Sequence, residues 1–360
     1  MSCSIFNSAP FQAISFSHES PAGQMVQILL VKGTWALSSG RLAPPQRQAP
    51  IWMRDETVAL GALDLDPVQR QVIAGREGQA WLRYESDLVP PKPRFDLIIN
   101  AWVQRKGRTF FELPGAVDFQ GQRLLSLNAF APRIWGSGVL SPIIKAAKAP
   151  VAKVPAFNVF AFGGPANRAV AAGSGAQKPV AERKHWPANQ DGMGYCTEAM
   201  GVAGVALPWL ETPGRPIRQW NDRPPVAALG HASRADQPRR ALQGTVNKES
   251  SALPADFDPR YYNAAPPELQ LLQRPRPGDK VELLNLSRDG HCAFGFPSVT
   301  LQAMGEERGG RRHAPAPLHW DTLLIEPEED RACLVWRAQL ADPGRKLAGF
   351  TLMIEPGPMA

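Results

Sequence analysis

The residues best suited to chemistry lie in one short stretch, residues 253–270, which reads LPADFDPRYYNAAPPELQ. Asp256 and Asp258 could form a carboxylate pair for acid–base work or hydrolysis, because residues two apart in an extended chain share a face. Arg260 argues against this role, since a carboxylate beside a guanidinium stays ionised. The stretch therefore predicts an ion pair, and hydrolysis by Asp256 or Asp258 is the alternative.

The same stretch has no helical or strand period. Its four prolines fix the backbone and remove amide donors, while its Asp and Asn side chains can satisfy backbone groups left unpaired. These features predict a rigid turn in which Asp256, Asp258 and Arg260 pin the returning chain and Tyr261 and Asn263 seal it. We refer to residues 253–270 as the clasp segment.

Few other residues suggest catalysis. The chain has no GxSxG, P-loop, HExxH or glycine fingerprint, and its histidines lack the spacing of zinc ligands. Lys92 could be a nucleophile only if burial lowered its pKa, and an ion-paired or solvated lysine is favoured. We therefore expect no enzyme activity and no cofactor. Trp186, Trp209 and Trp220 lie in irregular sequence and are candidates for contact, which leaves a carbohydrate-binding β-module as a further alternative.

Composition narrows the class of protein. The chain has 360 residues, 44% of them hydrophobic, with 36 prolines and 31 glycines, which favours short strands and loops. A diffuse net charge of +7 gives nucleic-acid binding only weak support. Four dispersed cysteines indicate reduced thiols, and neither a signal peptide nor a membrane span is recognisable. These features predict a cytoplasmic location without a membrane partner.

The chain divides into a β-rich region (1–135), an irregular middle region (136–250) and a second β-rich region (251–360). Apolar runs bounded by turn residues predict a mainly β fold with antiparallel sheets, sandwich or barrel-like. Lys32 and Thr34 are expected on a solvated face of the first strand. The predicted strands are 25–37, 41–43, 95–104, 109–113, 124–129, 157–164, 280–286, 292–296, 298–304, 318–325, 332–338 and 348–354, with turns at Gly115 and Gly121, a loop at 165–180 and short helices at 66–74 and 143–149.

Several segments, taken in order, resemble one family. They are VKGTW (31–35), RYESDLVPPKPRFDLII (83–99), PRIW (132–135), AFGG (161–164), LPWLE (207–211), NDRPPV (221–226), the clasp segment, GDKVELLNL (278–286) and DTLLIEPEEDRACLVWR (321–337). The ordered set is similar to the uncharacterised-domain family encoded beside bacterial type VI secretion effectors, whose studied members act as adaptor chaperones. It covers about residues 20–340, which implies one adaptor domain.

The resemblance implies a non-enzymatic protein that holds a toxic effector in the cytoplasm and helps to load it onto the VgrG spike protein. It marks a set of partner-binding or structural residues: Lys92, Trp220, Arg223, Asp256, Asp258, Arg260, Tyr261 and Asn263. The chain departs from the family pattern at residues 189–194, where the usual proline is missing, and at 233–240. The effector's identity therefore stays open.

Overall fold

The computed structural model describes residues 4–20, 23–38, 41–45, 47–138, 141–166, 183–199, 202–245, 253–307, 309–339 and 347–355. It is mainly β, with 43% strand and 9% helix, which confirms the predicted fold class. Among the residues described, no helix combines the length and the apolar character needed to cross a membrane.

The strands run through the whole described chain. In order they are β1 (Ser4–Asn7), β2 (Gln12–Glu19), β3 (Met25–Ser38), β4 (Arg41–Ala43), β5 (Glu56–Ala59), β6 (Ala80–Tyr84), β7 (Phe95–Ile99), β8 (Trp102–Gln104), β9 (Glu112–Phe119), β10 (Gln122–Phe130), β11 (Ile134–Gly136), β12 (Ile143–Lys145), β13 (Lys153–Pro155), β14 (Phe162–Gly163), β15 (Met193–Gly194), β16 (Leu210–Glu211), β17 (Gln270–Leu271), β18 (Lys280–Leu284), β19 (His291–Gly295), β20 (Thr300–Glu307), β21 (Ala316–Glu326), β22 (Arg331–Gln339) and β23 (Leu347–Glu355).

In the part of the chain that the structure describes, two short α-helices and several 3₁₀ turns join these strands. The helices are α1 (Pro67–Val72) and α2 (Gln237–Arg240), and the 3₁₀ turns are Leu60–Ala62, Asn158–Phe160, Ala241–Gln243, Pro259–Tyr262, Pro267–Leu269 and Pro327–Glu329. The helix predicted at 66–74 is confirmed as α1. Its amino end is capped because the Gln69 Oε1 atom accepts a hydrogen bond of 2.9 Å from the Asp66 amide.

The largest sheet is barrel-like and nearly closed. Its strand order is β1-β23-β20-β21-β22-β3-β2, with β4 added to β3, β7 parallel to β21, and β17 antiparallel to β7. Strand β3, which lies between β22 and β2, is covered on both faces, as its long apolar run indicates. Lys32 and Thr34 are accordingly 0% and 1% exposed, so the predicted solvated face is wrong.

A second, five-stranded sheet has the order β16-β10-β9-β18-β19. Its central hairpin, β9–β10, turns at Gln120 and Gly121, whose φ angles are 51° and 75°. Two consecutive positive φ angles give a turn whose twist matches that of the flanking strands. The turn predicted at Gly121 is therefore confirmed, whereas the turn predicted at Gly115 is wrong, because Gly115 lies inside β9.

The described residues between 136 and 250 form only short elements. The helix predicted at 143–149 is wrong, since β12 pairs with β11 instead and its branched residues favour an extended chain. The strand predicted at 157–164 is a 3₁₀ turn followed by β14. Most of the loop predicted at 165–180 lies outside the described residues. One hydrophobic core cluster draws residues from all three regions of the chain.

The AFGG segment is locked to a turn of the middle region. β14 pairs in parallel with β15, and the Asn189 side chain donates hydrogen bonds of 2.7 and 3.1 Å to the carbonyls of Asn158 and Phe162. Gly163 has a φ of 150°, and a Cβ atom there would overlap the carbonyl oxygen of Asn189. The missing family proline is thus compatible with an ordered turn at 189–194.

We predict that Gly163→Ala lowers the free energy of unfolding by at least about 2 kcal/mol, because the added methyl group meets backbone and the φ angle is strained. Gly78→Ala is the matched control, since its Cβ would meet nothing within 4 Å. Urea denaturation of both variants measures the difference. Equal midpoints for the two variants would contradict the locked turn.

Candidate functional site

A cavity of about 390 Å³ lies between the clasp segment and the middle region. Its walls come from residues 225–242 and 260–270, with Arg94, Asn158 and Ala188 completing them. Most of these side chains are apolar, including Val226, Leu229 and Leu242. We call this space the loop cavity. Its size is at the lower end of the roughly 300–1,000 Å³ of ligand pockets.

The clasp segment holds the middle region from one side. Asp258 caps the turn Pro259–Tyr262. Its carboxylate accepts a hydrogen bond of 2.9 Å from the Arg260 amide and one of 2.8 Å from Arg260 Nε. The Asp258 amide donates to the Leu242 carbonyl at 2.9 Å, and Asp256 accepts 2.9 Å hydrogen bonds from the Thr245 amide and hydroxyl. These contacts are those a structural clasp requires.

The two aspartates of the clasp segment are ionised at neutral pH. Hydrogen bonds from Thr245 lower the pKa of the Asp256 carboxyl, and the hydrogen bond from the Arg260 side chain lowers the pKa of Asp258. Both groups lie at the surface and are already engaged as acceptors. This state suits an ion pair and a turn cap better than a proton donor.

Behind the clasp segment, Lys92 and Asn263 meet at a third residue, Asp96. The Asp96 carboxylate accepts hydrogen bonds of 2.8 Å from Lys92 Nζ, from Asn263 Nδ2 and from the Ala264 amide. Lys92 and Asp96 are 5% and 0% exposed. Lys92 is therefore ion-paired, as predicted. Asp96 was missed, although an acid inside the apolar run of β7 was a visible signal.

A second buried ion pair connects the middle region to the large sheet's side of the molecule. Arg239 donates two hydrogen bonds of 2.8 Å to Glu85, and Arg234 also pairs with Glu85. Arg239 Nε donates to the Tyr261 carbonyl at 2.8 Å. Burial opposes ionisation of Glu85, but Arg239 and Arg234 outweigh it and lower its pKa to about 2. Tyr261 thus acts here through its backbone.

A third group of buried charges lies inside the sheet. Lys32 Nζ donates a hydrogen bond of 2.8 Å to the Asp87 carboxylate and lies 2.9 Å from the centroid of the Trp52 ring. Arg337 forms an ion pair with Asp321 and donates a hydrogen bond of 3.0 Å to the Asp87 carbonyl. The Asp321 carboxylate also accepts a hydrogen bond of 3.1 Å from the Lys92 amide. Lys92 therefore links these buried charges to Asp96.

Trp220 and Arg223 lie elsewhere, at a small aromatic cluster of the middle region. Arg223 Nη2 donates 2.7 Å to the Cys196 carbonyl, and the guanidinium carbon is 5.1 Å from the Tyr195 ring centroid. Trp220 packs against the same cluster and is half-buried. The structure therefore does not join these two residues to the clasp segment or to the loop cavity.

The tryptophans offer little exposed ring surface. Eight of the ten are buried, and Trp186 and Trp220 are half-buried. Trp209 is fully buried and stacks on Phe160 with 4.5 Å between ring centroids, so its predicted contact role is wrong. No tryptophan provides an exposed platform for a sugar ring.

Among the titratable side chains that line the loop cavity, Asp236 and His231 have strongly shifted pKa values. Burial raises the pKa of the Asp236 carboxyl to about 7, although it accepts a 2.8 Å hydrogen bond from the Gln190 amide. Burial lowers the pKa of His231 to about 4, so its ring is neutral, and its Nδ1 atom has no hydrogen-bond partner. His231 also lines an inner polar cavity of about 20 Å³, which has room for one water.

A metal site needs several His, Cys, Asp or Glu side chains that converge on one point within the described ranges of the chain. In that part of the chain, no three His, Cys, Asp or Glu side chains are arranged to hold a metal ion. What the site offers chemically is an apolar cavity with a few polar groups, bordered by buried ion pairs.

Comparison with known proteins adds one family. A family model described as an uncharacterised protein conserved in bacteria (DUF2169) matches residues 22–337. No curated protein and no solved structure gives a significant match.

We predict that Lys92→Met lowers the free energy of unfolding by about 3 kcal/mol or more, because Asp96 would remain buried without its cation. The matched control is Lys106→Met, whose pair with Asp289 is 79% and 71% exposed and should cost below about 1 kcal/mol. Chemical denaturation measures both. Similar small losses in the two variants would show that the buried pair is not required.

We also predict a pH-dependent effect of Asp236→Asn. The folded carboxyl, with its pKa raised to about 7, holds a proton that an unfolded aspartate loses near pH 4. The wild-type therefore loses stability from this group as pH rises from about 4 to about 7. The variant should gain stability relative to the wild-type, on the order of 1–4 kcal/mol, between pH 5 and pH 8.

Unfolding midpoints across this pH range test the Asp236 prediction. Asp258→Asn is the control of opposite sign, because the lowered pKa of Asp258 makes its contribution disappear only as pH falls into the acid range. A constant difference between wild-type and Asp236→Asn from pH 5 to pH 8 would show that the carboxyl is not perturbed.

Proposed function

Because the chain belongs to the family described as uncharacterised proteins conserved in bacteria (DUF2169), and because of its ordered motifs, we propose that it is a type VI secretion adaptor. In this role it is a chaperone that binds a toxic effector in the cytoplasm and helps to load it onto the VgrG spike. The family description itself names no activity. The proposal takes its specific partners from the motif resemblance.

The observation that carries the proposal is the loop cavity. It is apolar, about 390 Å³ in volume, and formed by loops rather than by the sheets. Binding residues are often placed on loops that a rigid scaffold supports. Here the scaffold is the large sheet, to which Asp96 on β7 fixes the loops, and Glu85, directly after β6, holds them at a second point.

The loops also meet the energetic needs of a binding protein. A loop that must order itself on binding loses conformational entropy, which weakens the complex. The pairs Lys92–Asp96 and Arg239–Glu85 are buried in the free chain, so the walls of the cavity are ordered beforehand. Such preorganisation favours the capture of another protein's segment.

The two alternative functions rest on weaker features. Hydrolysis would need a protonated carboxyl in the clasp segment, whereas Asp256 and Asp258 are ionised surface groups. Sugar binding would need exposed indole rings, whereas the tryptophans are buried or half-buried. Protein binding needs neither a protonated carboxyl nor an exposed indole ring, and it uses the apolar loop cavity.

The proposal predicts capture of two partners. The purified chain should retain the toxin and the VgrG protein encoded beside it, but not a toxin from an unrelated gene cluster. Because the cavity is mostly apolar, capture of the toxin should survive about 1 M salt, at which surface charges are screened beyond about 3 Å. Folded chain that recovers neither partner would refute the adaptor role.

A further inference from the structure

The loop cavity contains two side-chain amides whose hydrogen bonds are incomplete. Asn263 is 1% exposed, and its Nδ2 atom donates hydrogen bonds of 2.8 Å to Asp96 and to the Arg94 carbonyl. These two bonds fix the orientation of the amide. The Asn263 Oδ1 atom remains a buried acceptor without a partner.

Asn158 is the second of these amides. It is 9% exposed and lines the loop cavity. Its backbone carbonyl accepts from Asn189, but its side chain makes no hydrogen bond to the described part of the chain. A buried polar group without a partner costs roughly 1–3 kcal/mol, so the Asn263 Oδ1 atom favours an occupant that donates a hydrogen bond to it. The Asn158 amide lines the same cavity and is free to bond to that occupant.

The polar groups of the cavity select a peptide as the occupant. A carboxamide carries one acceptor and two donors, which complement the N–H and C=O of a main-chain peptide group. The Asn263 Oδ1 atom specifically needs a donor, such as a backbone N–H. A hydrocarbon chain would fill the apolar walls but would leave both amides unpaired.

The charges around the cavity indicate that this peptide is uncharged. Arg239 is paired with Glu85, and Arg260 is paired with Asp258. Among the residues described, Arg94, Glu268 and Asp236 line the cavity without an ion pair. The charges of Arg94 and Glu268 are opposite, and Asp236 is only partly ionised at neutral pH because its pKa is raised to about 7. The lining therefore offers no net field for a strongly acidic or basic segment.

We propose that the loop cavity binds an extended, uncharged segment of a partner protein, with an aliphatic side chain between the apolar walls and its main chain hydrogen-bonded to Asn158 and Asn263. The proposal rests on the proposed function in that it needs a protein partner. It adds the chemistry of the bound segment and the two residues that recognise its backbone.

The test uses the full chain labelled with ¹⁵N at asparagine and the capped peptide Ac-Gly-Leu-Val-Gly-NH₂ as the probe. The Asn158 side-chain resonance is assigned by its loss in Asn158→Leu. We expect saturable shifts of the Asn158 and Asn263 side-chain signals. A peptide methylated on the Val nitrogen, or one carrying Glu and Lys in place of Leu and Val, should bind at least about tenfold more weakly, a loss of about 1.4 kcal/mol.

A pair of alanine variants tests whether the cavity is the binding site. Ala232 lines the cavity, so Ala232→Leu fills it and should weaken binding of the probe at least about tenfold. Ala255 is exposed in the clasp segment and is not part of the lining, so Ala255→Leu should bind like the wild-type. Thermal unfolding checks that both variants fold.

Three results would overturn the inference. They are absence of saturable shifts with the probe, equal shifts with 1-hexanol and with the methylated peptide, and unchanged binding by Ala232→Leu. The second result would identify a small-molecule pocket.

Toxin capture separates this inference from the adaptor role. If Ala232→Leu still captures the toxin as the wild-type does, the cavity is not the recognition site although the adaptor role stands. If the wild-type binds the peptide but captures no toxin, the peptide site stands and the adaptor role fails.

Discussion

The buried carboxylate of Asp96 is the interaction on which the rest of the structure depends. It lies on β7, inside the large sheet, and binds Lys92 from the preceding proline-rich segment. It also binds the side chain of Asn263 and the amide of Ala264 in the clasp segment. Three separate parts of the chain are therefore joined at one carboxyl group, and each of its bonds is 2.8 Å long.

A buried charge constrains a structure because it tolerates few arrangements. Removing a carboxylate from water costs several kcal/mol, which is recovered only when cations and donors surround it with good geometry. An irregular region lacks the repeated backbone hydrogen bonds that hold a sheet in register. In this protein the Asp96 and Glu85 groups serve that purpose, since both bind segments of the loops directly.

Much of the fold could be predicted from the sequence because sheets follow local patterns. The apolar run of β3 and the branched residues of β21 and β22 indicate strands without knowledge of their partners. The failures have a common cause. Lys32 reads as solvated, yet its Nζ atom is buried and donates a hydrogen bond to Asp87, 55 residues later in the chain. The Ile143 segment reads as a helix, yet its pairing with β11 makes it a strand.

The sequence indicates only some residues of the candidate site and none of its geometry. Lys92 and Asn263 lie in motifs of the sequence. Their common contact with Asp96 has no local signal, because Asp96 and Asn263 are 167 residues apart. Glu85 lies inside the segment 83–99, but nothing there indicates its partner, and Arg239 carries no motif, since an ion pair joining residues 154 apart leaves no local pattern. The cavity itself is a product of these long-range contacts and has no sequence signature.

The same contacts explain why the cavity keeps unpaired polar atoms. The Asn263 amide is held by its two donor bonds to Asp96 and Arg94, so it cannot rotate to bury its Oδ1 atom against another donor. Asn158 is fixed in a 3₁₀ turn whose neighbours, Val159 and Phe160, are fully packed. The free chain therefore carries a hydrogen-bond deficit that it cannot relieve by local rearrangement. A binding segment that supplies the missing partners recovers this free energy without having to order the loops.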